Sequence, residues 1–275
     1  MVRIGSRNIW TIARIQESRP MSILKKFKLD GKIALVTGCS KGIGFGIAKG
    51  LAEAGADIIG VSSTLDKGSE IEKYVESIGR EFHCFKCDFS ERENTHGFLK
   101  ELSKNNLEPN ILVSNAGSLI RTELKEHSDD HWDRILEINL SSQFILAREL
   151  SRQMVEKGWG KIIFTASILS YQGGLFVPSY TASKGGIAQL TKALSNELAD
   201  KGINVNSIAP GYVVTDITSA LREDKIRSAD LMARIPMKRW GTIDDMAGAA
   251  VYLASDASSY VNGELLNVDG GWMGR

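Results

Sequence analysis

"KIALVTGCSKGIG", from Lys32 to Gly44, sets the short apolar run Ile33 to Thr37 directly against a turn with glycines at 38, 42 and 44. The run is rich in β-branched side chains and too brief for a buried helix, so it reads as a strand buried on both faces. The glycines permit a tight turn and bring backbone N–H groups to the start of a following helix. That positive helix end suits a phosphate or pyrophosphate. The spacing is Gly-x-x-x-Gly-x-Gly, not the Gly-x-Gly-x-x-Gly of the commoner dinucleotide fingerprint, and glycines also serve plain strand-to-helix turns.

The same alternation continues along the chain. Gly44 to Gly55 reads as a helix. "DIIGVSS", "EFHCFKCDFS", "ILVSNAG", "KIIFTAS", "INVNSIAPG" and "ELLNVDGG" read as strands, separated by amphipathic segments such as "SSQFILARELSRQMVEKG". Strands apolar on both faces and separated by helices imply a parallel sheet covered on both sides. The expected fold is therefore a single-domain α/β, Rossmann-like doubly wound parallel sheet, which binds ligands beyond the carboxyl ends of its strands. No internal repeat, low-complexity tract or linker divides it.

The chain has 275 residues, 43% apolar and 24% charged, with 27 glycines and a net charge of +1. This balance fits one large globular domain and carries no basic footprint for nucleic acid or an anionic membrane, so the expected partners are small molecules. Three cysteines argue against a disulfide framework and fit a reducing cytoplasm. No apolar run is long enough to span a bilayer. Residues 1–20 are arginine-rich without a continuous apolar centre and read as an unstructured extension or a misassigned start before Met21, leaving 21–275 as the domain.

A second stretch carries chemistry. In "PSYTASKGG", Pro178 to Gly186, Tyr180 and Lys184 lie four residues apart and share one face if the segment opens a helix. A lysine cation one turn away favours the phenolate of a tyrosine that ordinarily titrates near pH ~10, which would let Tyr180 exchange a proton nearer neutrality. Ser167, at the end of the "KIIFTAS" strand, falls on the ligand-binding edge, where it could hold a substrate oxygen while Tyr180 gives or takes the proton.

"TGCSKGIG", "SNAG" (Ser114 to Gly117), Asn139 in "EINLSS", Ser167, "YTASK" (Tyr180 to Lys184) and "APGYVVT" (Ala209 to Thr215) together resemble, in order and spacing, the motifs of the short-chain dehydrogenase/reductase family. The resemblance runs from about Leu29 to the C-terminus. It implies an NAD(P)-dependent oxidoreductase acting on CH–OH groups, with a tetrad of Asn139, Ser167, Tyr180 and Lys184. In that tetrad Asn139 holds a relay water and Lys184 also reaches the nicotinamide ribose. It further implies cofactor contacts from Gly38, Ser40, Lys41, Gly42, Ile43 and Gly44, from Asp88 at the adenine, and from Asn115, Ala116 and Gly117 beside the ribose. Ile208, Pro210, Gly211, Val213 and Thr215 would flank the carboxamide. Members of the family are usually tetramers, with surfaces expected around "SSQFILARELSRQM" and "ELLNVDGGW".

Cofactor choice stays open at this level. An acidic residue at the end of the second strand favours NAD, and Ser62 stands there instead. Ser62 removes the main barrier to NADP, and Lys41 could approach a 2′-phosphate, whereas nearby Asp66 leans to NAD, as do the relatives the following segments suggest.

"SLIRTE", "ILSYQGGLFVPSYTASKGG", "RIPMKRWG" and "YVNGELLNVDGGW" resemble the branch of the family that interconverts keto and hydroxy sugar acids in uronic acid breakdown. An anionic substrate needs a cation, and Arg121 follows the "SNAG" strand edge. Tyr171, Gln172 and Trp240 are further pocket candidates, Trp240 equally a packing residue. Tyr212 to Arg239 would be a helical lid, with Arg222, Arg227 and Arg234 on its solvated face. A 3-oxoacyl thioester or another secondary alcohol is the alternative substrate, and a non-catalytic dinucleotide sensor the alternative class. Two pairs mimic metal or redox sites. Cys84 and Cys87 should point to opposite faces of a strand, and Ser128 should cap a helix beginning between His127 and His131, so neither pair is expected to bind metal.

Overall fold

The structure is a computed structural model that describes residues 22–274; the expected extension over residues 1–20 lies outside the described residues. Seven parallel strands form one sheet: β1 (Ile33–Thr37), β2 (Asp57–Ser62), β3 (Phe82–Lys86), β4 (Ile111–Ser114), β5 (Gly160–Thr165), β6 (Ile203–Pro210) and β7 (Leu265–Val268). Their spatial order is β3-β2-β1-β4-β5-β6-β7. The order reverses between β1 and β4, and the crevice at their carboxyl ends is where such a sheet takes a ligand. Register follows the apolar runs, Val36 lying opposite Gly60 on β2 and Val113 on β4.

Strict alternation sorts the strand side chains onto two cores. Ala34, Val36, Ile58, Ile111, Val113 and Ile163 face one layer, built from α1 (Gly42–Glu53), α2 (Glu70–Ser77) and α9 (Ile243–Ala254). Leu35, Ile59, Val61, Leu112, Ile162 and Phe164 face the other, built from α3 (Arg92–Lys104), α5 (Ser142–Lys157) and α6 (Pro178–Leu198). Gly46 and Gly50 let α1 and α9 close on each other: a Cβ on Gly46 would lie 2.7 Å from the Ile243 carbonyl oxygen.

Local signals fix the helix starts. Pro178 occupies the first turn of α6, where its missing N–H costs nothing. Ser128 caps α4 (Asp129–Leu136) by accepting from His131 N, as its position predicts. A π-helical turn over Glu137–Ser141 joins α4 to α5. Strand β3 is shorter than "EFHCFKCDFS" suggested, because the Asp88 carboxylate accepts from Ser90 N and turns the chain. The segment expected to be a lid contains α7 (Ser219–Glu223) and α8 (Lys225–Arg234). No helix among the described residues is long and apolar enough to cross a membrane.

Candidate active site

The turn after β1 forms a cradle without side chains on its floor. Gly38 and Gly42 adopt φ of +68° and +60°, which disfavour any Cβ. Gly44 sits so close to the turn that a Cβ would lie 2.2 Å from the Gly38 carbonyl oxygen and 2.5 Å from Asn115 Nδ2. Ile43 anchors the start of α1 against the core. Thr215, from the segment after β6, faces Gly42 across the groove, its Cγ2 3.6 Å from where a Gly42 Cβ would stand. Bare backbone at a helix start, between the two halves of the sheet, fits the close approach of a dinucleotide pyrophosphate.

At the end of β2, Ser62 forms a hydroxyl cluster with Ser40 (3.1 Å) and Thr64 (3.4 Å), and Ser40 also reaches Thr64 (3.2 Å). Lys41 does not lean into this cluster. Its ammonium pairs with Asp216 at 2.6 Å, in the turn that follows β6. Asp66 pairs with Lys86 at 3.1 Å. Asp88 is exposed, and the Ser90 amide that bonds it holds its carboxyl below the usual range.

Asn115 is a brace. Its Nδ2 donates to the Thr37 carbonyl (3.0 Å), its Oδ1 accepts from Thr165 (3.2 Å), and the backbone amides of Asn115 and Ala116 both donate to Thr37 Oγ1 (2.8 and 2.7 Å). The ends of β1, β4 and β5 are thus pinned at one point, and the buried Thr37 hydroxyl is a functional part that sequence reasoning missed. Asn139, in the π turn, is fully buried. Its Oδ1 accepts from Ser118 N (2.8 Å), and its Nδ2 donates to Ser118 O (2.9 Å) and Ser183 Oγ (3.1 Å). One Oδ1 lone pair remains. The space a Gly117 side chain would take borders both that oxygen (3.5 Å) and Lys184 Nζ (3.9 Å).

Ser167 and α6 meet beside this space. Ser167 Oγ accepts from Leu169 N (3.1 Å), and Ser170, which accepts from Ser167 N, donates to the Lys184 carbonyl (2.7 Å). Lys184 is 3% exposed, and its amine donates to the Thr165 carbonyl at 2.6 Å, 5.7 Å from the centroid of the Tyr180 ring. Burial pushes Lys184 down to about 8. Burial also raises the Tyr180 phenol above its ordinary value, with the Ser167 hydroxyl pulling the other way. The simple expectation that Lys184 lowers Tyr180 is therefore not met within this chain alone, since desolvation dominates and the amine turns to the strand. The protonated phenol is the form that can donate a proton.

The substrate candidates separate. Arg121 Nη1 caps the Leu175 carbonyl at 2.9 Å and has no ion-pair partner among the described residues. Burial, then the Arg227 cation, holds its guanidinium below the usual range. Tyr171 does not join it. Its hydroxyl donates to the Leu265 carbonyl at the start of β7 (3.1 Å). Gln172 is half-buried and makes no hydrogen bond to another candidate among the described residues. Trp240 packs edge-on against Tyr212 at 5.6 Å, and Tyr212 against Trp272 at 4.9 Å, the packing role weighed for it. Arg222 is exposed, but Arg227 is half-buried and Arg234 lies 4.0 Å from the Trp272 ring, so these two are not on a purely solvated face. Pro210 ends β6, Val213 is buried, and a Cβ on Gly211 would lie 2.7 Å from Asp269 Cα. Ile208 is core.

Cys84 packs with the first core and Cys87 with the second, as strand alternation requires. His127 and His131 do meet, edge to face at 5.6 Å, although the helix begins between them. Among the described residues no group of three or more His, Cys, Asp or Glu side chains is placed to hold a metal.

Residues 38–273 match a family model described as enoyl-(acyl carrier protein) reductase. The chain is 59% identical to 2-dehydro-3-deoxy-D-gluconate 5-dehydrogenase of Pseudoalteromonas atlantica over 92% of its length and all of the relative's. It is 51% identical to the protein of the same name from Bacillus subtilis, over 90% of this chain and 97% of the other. Among solved structures, a gluconate 5-dehydrogenase from Burkholderia cenocepacia in complex with NADP and tartrate superposes with a TM-score of 0.87 at 36% identity, covering 92% of this chain and 99% of that one.

Proposed function

The chain belongs to the short-chain dehydrogenase/reductase family, and from that premise we propose that it interconverts a keto sugar acid and its hydroxy form in the breakdown of uronic acids. It is an NAD(P)-dependent oxidoreductase acting on a CH–OH group. The observation that carries the substrate class is the 59% identity, over 92% of this chain, to a 2-dehydro-3-deoxy-D-gluconate 5-dehydrogenase, and Arg121, a cation without an ion-pair partner among the described residues, agrees with it.

The nicotinamide, when bound, supplies the acceptor or donor of the hydride. The Gly38, Gly42 and Gly44 cradle would hold the pyrophosphate, with Ser40, Lys41 and Ile43 around it. Ser62, or Asp88 at the adenine, would contact the far nucleoside, and Asn115, Ala116 and Gly117 would border its path. Pro210, Gly211, Val213 and Thr215 would flank the carboxamide. In the reducing direction Ser167 Oγ donates to the substrate carbonyl oxygen and Tyr180 Oη gives that oxygen its proton. Burial keeps the resting phenol protonated; once the proton has left, the Lys184 cation one helical turn away would offset the phenolate charge, and Asn139 would hold the water through which the proton is replaced. The oxidising direction reverses each transfer. Arg121 meets the substrate carboxylate.

The working form is proposed to be a cytoplasmic homotetramer of a domain spanning residues 21–275. A groove of about 700 Å³ bordered by α3, α5 and α6, lined by Leu140, Phe144 and Leu190 together with Arg92, His96 and Arg148, supports a self-complementary contact there.

Nicotinamide absorbance of the purified protein tests the substrate class, with NADH and NADPH each offered keto sugar acids, 3-oxoacyl thioesters and neutral ketones. Turnover centred on keto sugar acids is expected. Turnover confined to thioesters would replace the substrate, and binding without any turnover would leave a dinucleotide sensor.

A further inference from the structure

The histidine pair has no third His, Cys, Asp or Glu placed beside it to hold a metal among the described residues, and His127 is tied at both ring nitrogens. Nδ1 lies 2.9 Å from Thr122 Oγ1 and Nε2 lies 3.0 Å from Ser179 Oγ. Both hydroxyls can donate or accept, so the bridge closes with either tautomer of the neutral ring. His131 packs edge-on against the same ring at 5.6 Å. The two residues so joined are neighbours in sequence of the two that matter for an anionic substrate: Thr122 follows Arg121, and Ser179 precedes Tyr180.

The ends of this bridge differ in rigidity. Ser179 is fully buried at the start of a helix that packs in the core, so it is the fixed end. Thr122 belongs to an irregular loop whose Arg121–Thr122 end is also held by Thr122 N donating to the Phe176 carbonyl (3.0 Å) and by the Arg121 side chain, Nη1 donating to the Leu175 carbonyl (2.9 Å). Those partners sit in a loop of their own, where Phe176 takes a φ of +63° and both Leu175 and Phe176 are exposed. Among the described residues, Asn139 ties the start of this loop at Ser118 to Ser183 on α6, and the His127 imidazole ties its Arg121–Thr122 end to Ser179.

We propose that His127 is a positioning residue that sets the distance between Arg121 and Tyr180, and thereby matches the site to a carbonyl carried at a fixed separation from a carboxylate. The inference rests on the proposed meeting of Arg121 with the substrate carboxylate. Loss of the bridge lets the loop drift, and the cost falls on anionic substrates. A neutral ketone needs only Ser167 and Tyr180.

The test compares KM and kcat for a keto sugar acid and for a neutral ketone of similar size in wild type, Arg121→Met, His127→Phe, His127→Gln and Thr122→Val. His127→Phe keeps the ring and removes both bonds. It should raise KM for the keto sugar acid about three- to tenfold, the worth of one or two hydrogen bonds, while leaving cofactor affinity and the neutral ketone within about twofold. Gln, which presents a donor and an acceptor, should recover much of the loss. Thr122→Val, on the loop side, should reproduce the defect without touching the core. If Arg121→Met raises KM for the acid but His127→Phe does not, or if His127→Phe harms acid and ketone alike, the positioning role is overturned and the substrate assignment stands. If wild type has no preference for the acid and Arg121→Met changes nothing, the substrate assignment falls and this inference with it.

Discussion

The Lys184 ammonium donates a 2.6 Å hydrogen bond to the carbonyl oxygen of Thr165, the last residue of β5. One helical turn from Tyr180 and 3% exposed, it joins α6 to the strand that leads into Ser167. The bond both compensates a buried charge and fixes where that charge acts. Lys184→Met should weaken cofactor binding about tenfold and lower kcat about a hundredfold or more, the range for removing a group that supports proton transfer. Titration of cofactor fluorescence beside steady-state kinetics checks both. Unchanged cofactor affinity would count against the ribose contact.

Gly44→Ala places a methyl 2.2 Å from the Gly38 carbonyl oxygen, a backbone atom that cannot yield without moving the turn. Overpacking of this kind costs about 1–3 kcal/mol. A lower Tm together with weaker dinucleotide binding is expected. A variant with normal affinity would show that the cradle is not where the pyrophosphate lies.

The Ser40, Ser62 and Thr64 hydroxyls present no negative charge at the end of β2. Ser62→Asp should therefore repel a 2′-phosphate while offering an acceptor to a ribose diol. NADP(H) affinity should fall about tenfold or more and NAD(H) affinity should hold or improve, as read by isothermal titration with each cofactor. Equal losses for both would place Ser62 in packing alone.

Lys161 carries a separate, pH-dependent cost. It is 2% exposed, bonded to Asn204 Oδ1 at 2.8 Å, and burial pushes it down to about 8. Unfolded, the same lysine titrates near ~10.4, so between the two values the unfolded chain binds more protons and stability rises with pH. Below about pH 8 the cost of burying the charge is present in full. The stability difference between Lys161→Met and wild type should shift in favour of wild type from about pH 8 upward, by at most about 1.4 kcal/mol per pH unit. Denaturant titrations at several pH values measure it. A difference independent of pH contradicts the burial of a charged amine.

Much of this arrangement was legible before the structure. Apolar runs separated by amphipathic segments placed all seven strands, because a doubly covered parallel sheet leaves its central strands β1, β2, β4, β5 and β6 largely apolar on both faces. Tyr180 and Lys184 were found from helical spacing, a local property. What escaped depends on loops that meet only in three dimensions. Lys41 and Asp216 are 175 residues apart, and His127 and Ser179 are 52 apart. No periodicity encodes either contact. Tyr171 is a pocket candidate by sequence, and its hydroxyl bond to the Leu265 carbonyl of β7, 94 residues away, is a contact that no local pattern announces. Arg227 looked solvated because α8 is polar by composition. Its face also carries Leu231, which packs against the buried Ile168, Ile235 and Trp272 and draws the arginine inward.

The most direct test of the proton-transfer role is Tyr180→Phe, with cofactor affinity and turnover measured on one preparation. The substitution removes the hydroxyl and keeps the ring, so dinucleotide binding should stay within about twofold while kcat falls about 10²- to 10⁴-fold, the usual worth of a positioned acid or base. A variant that binds cofactor normally and still turns over keto sugar acid at a substantial fraction of the wild-type rate would contradict the assignment of Tyr180 as the proton donor.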